Sequence, residues 1–216
     1  MKKRLLTALA VTLGIYAHAQ TEKGKIILGG TVSFTSDKYE LEYERKTTSL
    51  AIGPSIGFFT SKNLALGLTL SYNYQKNSPY QQINAINGSI YIDEVGGNKS
   101  NGFGVIPFLR YYLDLHEKVK LFGQLNAGML FAKNKQIAAG GSIMDNSKIT
   151  TYIGSVEPGI AFFPHKKIAI ELKVPLFSYY DQKYKYLDPY ATSSKYTHFS
   201  FGSDLTKPSL GVNFHL

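Results

Sequence analysis

The sequence predicts an all-β protein, an eight-stranded antiparallel up-and-down transmembrane β-barrel. Three observations lead to this prediction: a hairpin that recurs along the chain, an alternation of large and small residues within its strands, and an alternation of short and long connections between them. Together they assign the chain beyond its N-terminus to strands, tight turns and long loops.

The first 19 residues are predicted to be a secretory signal peptide. Lys2, Lys3 and Arg4 precede an apolar run that closes on Ala17-His18-Ala19, which is the order of charge, apolar segment and small residues that signal peptides show. The apolar run is shorter than the roughly 20 residues that a membrane-spanning helix requires. We therefore expect cleavage before Gln20 and a single barrel domain over residues 20–216.

A proline marks the same place in each copy of the repeated hairpin. Pro54, Pro107, Pro158 and Pro208 each precede a run of small and aromatic residues. The first three copies continue through a tight turn into a second strand, whereas the fourth runs to Leu216. Its second half is then the first strand of the mature chain, so the first and last strands are expected to pair and close the sheet. Because proline donates no ladder hydrogen bond, four equivalent β-bulges are expected.

Large and small residues alternate within each predicted strand. The strand from residue 63 to residue 74 has these large residues on one face: Leu64, Leu66, Leu68, Leu70, Tyr72 and Tyr74. The opposite face carries Gly, Ala, Ser, Thr and Asn, which suit the crowded lumen of a small barrel, so the bulky face is expected to meet lipid. A soluble lipocalin-like carrier also alternates, but it requires a water-facing surface rich in Lys and Glu.

The aromatic residues and the connections indicate how the barrel sits in the membrane. The pairs Phe58/Phe59, Tyr111/Tyr112 and Phe162/Phe163 precede short turns and are predicted to form one interfacial girdle. Short connections at residues 60–62, 114–118 and 164–167 alternate with long ones at 35–48, 77–101, 133–147 and 181–206. This asymmetry is typical of outer-membrane barrels with periplasmic turns, periplasmic termini and external loops. The first hairpin is expected to extend as a ribbon, and residues 89–95 to form an extra strand.

Five charged residues are predicted to face the lumen: Arg110, Lys120, Glu157, Glu171 and Lys173. Charges inside a filled barrel must be paired or hydrated, so Arg110 and Lys173 are expected to pair with Glu157 and Glu171. An eight-stranded barrel leaves no continuous water channel. The sequence therefore predicts a polar network that plugs the lumen.

The composition argues against several classes of function. The chain has 24 Lys and Arg against 15 Asp and Glu, and this excess is spread over turns and loops, so nucleic acid is not an expected partner. The absence of cysteine excludes disulfides and thiol chemistry. No histidines share metal-ligand spacing with a carboxylate, and no glycine loop precedes a helix, so neither a metal nor a cofactor is expected.

The chain resembles the small OmpA/OmpX-like outer-membrane β-barrel domain proteins, particularly the Bacteroidetes-type versions. The likeness lies in residues 20–34, in the Gly-Pro-Ser-Ile-Gly-Phe-Phe hairpin at residues 53–59 and in the terminal segment 209–216. It implies a monomeric, non-enzymatic outer-membrane protein with a structural or adhesive role through its outer loops. The implied partners are outer-membrane lipid or lipopolysaccharide, the barrel-assembly machinery and a surface ligand or protein. Such barrels usually end in an aromatic residue; here Leu216 is last, and Phe214 on the same row is predicted to complete the assembly signal.

One short motif supports an alternative function. His198-Phe199-Ser200 resembles the His-x-Ser pair of outer-membrane lipid A deacylases, in which a histidine base activates a serine. Asp204 is a candidate for the carboxylate that orients the histidine, although no motif supports it. The alternative is therefore a lipid A-modifying hydrolase with His198 and Ser200 as its catalytic residues.

Overall fold

A computed structural model describes residues 21–40, 44–86, 89–138, 142–188, 190–202 and 209–216, with residues 40, 44, 82–86 and 89–93 described by their backbone. The predicted signal peptide, Asp204 and Pro208 lie outside these ranges. The described residues form only strands and connections: β1 Ile26–Glu40, β2 Glu44–Ser61, β3 Leu64–Asn77, β4 Tyr80–Ile86, β5 Ser89–Val95, β6 Gly97–His116, β7 Val119–Ile137, β8 Ile143–His165, β9 Ile168–Lys173, β10 Phe177–Tyr186, β11 Ser194–Phe201 and β12 Ser209–His215. Across this part of the chain there is no helix with the length and apolar character needed to span a membrane.

The predicted eight-stranded antiparallel barrel is confirmed. Its wall runs β1-β2-β3-β6-β7-β8, and then through two strands that are each divided in half. β9 and β10 both pair with β8, and β12 and β11 pair with them in turn. β12 returns to β1, so the last strand closes the sheet on the first, as the repeat predicts.

Backbone contacts fix the closure at the end that carries the short turns. Ile26 and Leu216 exchange N–H···O hydrogen bonds of 2.9 and 2.8 Å, and the β1–β12 register extends from Ile27 to Gly30. Gly30 has φ +156°, and a Cβ there would lie 2.6 Å from the Gly53 carbonyl oxygen. A side chain is therefore excluded where β1 leaves β12.

Neighbouring aromatic residues divide between the two faces of the wall. Phe58, Tyr111 and Phe162 lie on the outside, about half exposed, whereas Phe59, Tyr112 and Phe163 are buried in the lumen. The predicted girdle of complete pairs is therefore wrong, because consecutive strand residues point to opposite faces. The inner three pack with a further set of buried residues: Ile27, Ala65, Phe122, Ala161 and Ala169.

The long connections contain much more strand than predicted. β6 begins at Gly97, β7 continues to Ile137 and β8 starts at Ile143, so most of the predicted loops 77–101 and 133–147 is ladder. The extra strand at Ser89–Val95 is confirmed and pairs with β4. The β1–β2 ribbon is also confirmed, with paired residues as far as Glu40 and Glu44. Where these strands extend beyond the membrane, their outward-facing residues are polar. The alternation of apolar residues that predicts a strand is therefore missing there, and the sequence resembles a loop.

The predicted proline bulges are wrong at the three described positions. Register shifts in the wall fall near turns and at Asn134/Lys135, not at Pro54, Pro107 or Pro158. The β2–β3 register is the same on either side of Pro54, and the β6–β7 register is the same on either side of Pro107. Each proline thus lies in a continuous strand, where one neighbouring ladder lacks its hydrogen bond.

Candidate functional site

The centre of the lumen contains a buried ion pair between β6 and β9. Arg110 Nη1 lies 2.9 Å from both carboxylate oxygens of Glu171, and the two residues are 5 % and 2 % exposed. The guanidinium also donates through Nε to Gln124 Oε1 at 2.7 Å. The Tyr112 hydroxyl accepts from Arg110 and donates to Glu171 Oε1 at 3.1 Å. This charge pair therefore has hydrogen-bond partners on both sides, which a buried pair requires.

A chain of neutral side chains joins this pair to a second one. Gln124 donates to Asn126 Oδ1 at 2.6 Å, and Asn126 donates to Ser155 Oγ at 2.9 Å. Ser155 then donates to Glu157 Oε1 at 3.0 Å. The carboxylate of Glu157 is paired with Lys173, whose Nζ lies 2.7 Å from Oε2.

Four of the predicted lumen charges therefore belong to one network. The amides that link them are absent from the predicted set of lumen residues. Gln124 and Asn126 lie on the lumen-facing row of β7, and the signal that could have found them is two polar residues at period two beside Phe122.

Lys120 belongs to a separate cluster near the short turns. Its Nζ donates to Thr21 Oγ1 at 2.9 Å and pairs with Asp114. Asn63 Nδ2 donates to the same carboxylate at 3.0 Å. Lys120 thus holds Thr21 against the barrel rim, and the structure does not bring Lys120 to the central network.

Aromatic rings fill the lumen between these two clusters. The imidazole of His215 packs against Phe59, Tyr112 and Phe163, with ring centroids 5.8, 6.0 and 5.0 Å away. Phe122 packs on Tyr112 at 5.6 Å, and its ring lies 4.7 Å from the Arg110 guanidinium carbon. The short-turn half of the lumen is therefore filled by side chains.

The opposite half of the lumen opens into cavities. One cavity of about 580 Å³ reaches the Glu157–Lys173 pair. A second, of about 310 Å³, lies at the long-loop end. The polar side chains around the second cavity are mainly amides: Asn77, Asn98, Asn134, Gln136 and Asn146, with Ser78, Arg45 and Tyr80. Of these, only Arg45 carries a charge, and its guanidinium carbon lies 5.8 Å from the centroid of the Tyr80 ring.

Cross-strand register explains how the amides come together. Thr47 lies opposite Asn77, Asn77 opposite Asn98, and Asn98 opposite Gln136, so one row crosses four strands on the lumen face. Thr47 donates to Asn77 Oδ1 at 2.8 Å, and Asn77 donates to Asn98 Oδ1 at 2.6 Å. The row is an aligned set of donors and acceptors around an open cavity.

The candidate catalytic residues His198 and Ser200 lie on β11. The imidazole stacks between Tyr180 and Tyr196, at centroid distances of 6.0 and 6.2 Å, and Ser200 lies opposite Ser178 in the ladder. Among the described residues no hydrogen bond joins His198 to Ser200, and the imidazole Nδ1 lies 3.4 Å from the Tyr196 hydroxyl. Asp204, the candidate for the carboxylate that orients the histidine, lies outside the described residues. The described contacts do not assemble a base with its nucleophile.

No metal centre is formed by the described side chains, since none of their groups combines three His, Cys, Asp or Glu residues.

Comparison with known proteins identifies the family. The family model described as the outer membrane protein β-barrel domain matches residues 5–206 of the sequence. The chain belongs to this family. Membership places this outer-membrane barrel protein in the outer membrane, with the bulky face of its strands toward lipid.

Several solved outer-membrane proteins are similar to this chain at low sequence identity. OprG from Pseudomonas aeruginosa is similar with a TM-score of 0.51 and 11 % identity, over 92 % of this chain and 99 % of that chain. Outer membrane protein W from E. coli has a TM-score of 0.42 and 10 % identity, over 90 % and 99 %. The attachment invasion locus protein Ail of Yersinia pestis has a TM-score of 0.32 and 19 % identity, over 90 % of this chain and 99 % of that chain. No curated protein matches the sequence significantly. The similarity to OprG concerns the fold alone.

In this outer-membrane barrel the predicted assembly signal lies on the lipid side of the closing strand. Phe214 and Leu216 are nearly half exposed, whereas Asn213 and His215, which alternate with them along the strand, are buried in the lumen. An assembly factor would therefore reach Phe214 and Leu216 from the outside of the wall. Their role in assembly stays a prediction.

Proposed function

We propose that this protein is a non-conducting outer-membrane barrel that contacts a ligand or partner surface through its long-loop end. The observation that carries the proposal is the contrast between the two halves of the lumen. One half is filled by packed rings and the Arg110–Glu171 pair, and the other opens into a cavity of about 310 Å³. In the proposed orientation the filled half and both termini face the periplasm, and the open half faces the exterior.

The filled half supports a structural rather than a transport role. The layer of Phe59, Tyr112 and Phe163 is at most 1 % exposed. Directly above it, Arg110 and Glu171 occupy the lumen, hydrogen-bonded to each other and to Gln124 and Tyr112. Passage of a solute would require breaking this buried ion pair, which is costly in a low-dielectric interior. We infer that the barrel is an anchor and support for its outer end.

The open half supports contact with an uncharged, hydroxyl-rich ligand such as a saccharide. Primary amides offer both donors and acceptors and can each bind two neighbouring hydroxyl groups. The row Asn77, Asn98 and Gln136 aligns such groups along one wall of the cavity. The ring of Tyr80 adds an apolar surface beside them. A charged ligand is less well matched, because Arg45 is the single charged residue of the described lining.

The absence of conduction is tested in planar bilayers. Purified wild-type barrel is expected to give no stepwise current, whereas replacing Arg110, Tyr112 and Glu171 by alanine should open the plug and produce steps. The triple variant also verifies that folded protein has inserted. Reproducible ohmic steps from the wild-type protein would contradict the plug.

Ligand contact is tested by binding to immobilised oligosaccharides. Asn98→Ala removes an amide from the cavity, and Asn101→Ala removes the same group from the outward face of the same strand. Loss of one hydrogen bond of about 1–1.5 kcal/mol predicts roughly tenfold weaker binding for Asn98→Ala. The binding of Asn101→Ala should equal that of wild type. Equal effects of the two substitutions, or no retention of wild-type protein by any saccharide, would refute the cavity as the contact site.

A further inference from the structure

Strands β10 and β11 carry three aromatic rings on their lumen face. Ser178, Tyr180 and Gln182 all border cavities of the lumen, so the even-numbered residues of β10 face inward. His198 lies opposite Tyr180 in the ladder, and the next inward residue of β11, Tyr196, lies opposite Gln182. Directly opposed residues share a face of the sheet, so both rings face the lumen as well. We call Tyr180, His198 and Tyr196 the aromatic stack.

The planes of the three rings are nearly parallel. The imidazole of His198 makes an angle of 21° with the Tyr180 ring and of 13° with the Tyr196 ring, at centroid distances of 6.0 and 6.2 Å. Tyr180 is 38 % exposed and Tyr196 is 53 % exposed, so a large part of each ring remains uncovered. The aromatic stack therefore offers a flat apolar surface to a molecule in the lumen.

The aromatic stack faces the amide row across the lumen. β10 is four strands away from β3 round the wall, in the order β10-β8-β7-β6-β3. Four strands are half of an eight-stranded wall, so β10 and β3 lie on opposite sides of the lumen. Asn77 and Asn98 of the amide row lie on β3 and β6. Amides and aromatic rings thus border the open half of the lumen from opposite sides.

A further cavity of about 310 Å³ lies on the short-turn side of the amide-lined cavity. It is bordered on β3 by Asn73 and Gln75, which precede Asn77 on the same lumen-facing row. Thr151 and Gln182 border it from β8 and β10, and no charged residue belongs to its described lining. The two cavities follow each other along the barrel axis, and we call them together the well.

The well is closed on its short-turn side. The Arg110–Glu171 pair and the buried rings of Phe59, Tyr112 and Phe163 fill the lumen there. An eight-stranded barrel is also narrow, with room for one small ligand across its width. The middle of a long chain cannot enter such a well, because both of its arms would have to leave through the same mouth. Only the end of a chain fits.

We propose that the well binds the terminal sugar units of an uncharged linear glycan, which enters end-on with one sugar face against the aromatic stack. This inference rests on the saccharide contact proposed above and adds which part of the glycan is bound. The C–H groups on the face of a sugar ring pack against aromatic rings. The hydroxyl groups at its edge exchange hydrogen bonds with amides, which both donate and accept. A well with rings on one side and amides on the other matches both parts of a sugar.

A neutral glycan fits the well better than an apolar or a charged ligand. An apolar chain would displace water from Asn73 and Asn98 and leave their amides without partners, which is costly. A charged ligand would lose its hydration in a lining whose single described charge is that of Arg45. Hydroxyl groups avoid both costs because they are uncharged and form hydrogen bonds.

Two neighbouring tyrosines test the aromatic stack. The full-length barrel in phosphatidylcholine nanodiscs is applied to an array of neutral oligosaccharides, each immobilised through either end. Tyr180→Ala removes a ring from the stack, whereas Tyr179→Ala removes a ring of nearly equal exposure, 36 % against 38 %, from the outward face. We expect about fivefold weaker binding for Tyr180→Ala. Binding by Tyr179→Ala and Tyr180→Phe should match wild type, since phenylalanine keeps the ring, and the mobility of unboiled samples on gels shows that each variant is folded.

Asn73→Ala tests how deeply the glycan enters. Asn73 borders the inner cavity of the well, whereas Asn98 borders the outer one. If the terminal sugar reaches the inner cavity, Asn73→Ala and Asn98→Ala should each weaken binding by about tenfold. The outward-facing control Asn101→Ala should bind like wild type. An effect of Asn98→Ala with none of Asn73→Ala would confine the contact to the rim and refute insertion.

Competition in solution tests whether chain ends are bound. The competitor is a polysaccharide with the same linkage as the best-retained oligosaccharide, before and after partial hydrolysis, which creates new ends at constant mass. If the well binds ends, the potency of the competitor per unit mass should rise in proportion to their number. Unchanged potency would overturn the end-on arrangement and leave the saccharide contact intact.

The outcomes separate this inference from the function on which it rests. Equal binding by Tyr180→Ala and Tyr179→Ala would remove the aromatic stack from the site and overturn the inference, while the contact with the amides would stand. Retention of the wild-type protein by none of the saccharides would overturn both.

Discussion

The substitution Glu171→Gln should destabilise the barrel strongly although it changes only one atom. Glu171 is 2 % exposed and Arg110 is 5 % exposed, and the carboxylate accepts from Nη1 through both of its oxygens. Glutamine keeps the volume and one acceptor but leaves the guanidinium without a counter-charge. Removing one member of a buried ion pair costs about 3–5 kcal/mol. Arg110 retains Gln124 and Tyr112, so we expect a loss of about 3 kcal/mol in the free energy of unfolding.

Two further variants give this value a scale. Glu157→Gln breaks the pair with Lys173, whose side chains are 19 % and 22 % exposed. Water screens that pair more, so its loss should cost about 1 kcal/mol. The double variant Arg110→Met/Glu171→Leu removes both charges of the central pair and leaves only the neutral Gln124 and Tyr112 groups without their partners. It should therefore lose less stability than Glu171→Gln, about 1–2 kcal/mol, because no uncompensated charge remains.

The measurement is equilibrium unfolding by urea in phospholipid vesicles. The chain has no tryptophan, so far-UV circular dichroism and the mobility of unboiled samples on gels report the folded fraction. An uncompensated buried charge is refuted as the cause if Glu171→Gln unfolds within about 1 kcal/mol of wild type, or if Glu157→Gln loses more stability than Glu171→Gln.

Three other outcomes follow from the structure. Lys135→Gln should raise the pKa of Asp145 toward its ordinary value, because the hydrogen bond from Lys135 is the main reason that this pKa is low. The low pKa stabilises the folded protein at neutral pH, and that gain is lost as the pH falls through the pKa of the folded state. Carboxyl-carbon NMR titration measures the change, and an unmoved pKa would contradict the pairing. Gly67→Ala should destabilise the barrel by about 1–3 kcal/mol, because its Cβ would lie 2.2 Å from Phe108 Cζ and 2.5 Å from a backbone oxygen, and Phe108→Leu should recover only part of this in urea unfolding. Phe214→Ala should lower the yield of assembled barrel in cells while leaving refolding in vesicles nearly unchanged, and a normal cellular yield would exclude Phe214 from the assembly signal.

Residue alternation predicted the wall of the barrel well because it is a local property. Any strand that separates lipid from a narrow lumen must alternate, so Leu64–Tyr74 and its equivalents could be assigned from period two alone. The lumen position of Arg110 and Glu171 follows from the same two-residue period. Their partnership does not, because Arg110 lies on β6 and Glu171 on β9, and only closure of the sheet brings the two strands to opposite sides of one lumen.

The extent of the strands and the clustering of amides could not be predicted in this way. Past the lipid level both faces meet water, so residues such as Asn98 and Gln136 carry no apolar signal and resemble a loop. Their alignment depends on the ladder continuing, which is set by hydrogen bonds between strands far apart in sequence. Lys133 and Lys148 are an example of the same kind, since they are separated along the chain and lie opposite one another only in the sheet.

The sequence by itself determined the fold class, the face that meets lipid and the identity of the lumen charges, because each depends on the two-residue period of a strand. The tertiary structure decided which charges pair, how far the wall continues and where amides gather into rows. Those features depend on cross-strand register and on barrel closure, which join residues that no local pattern relates.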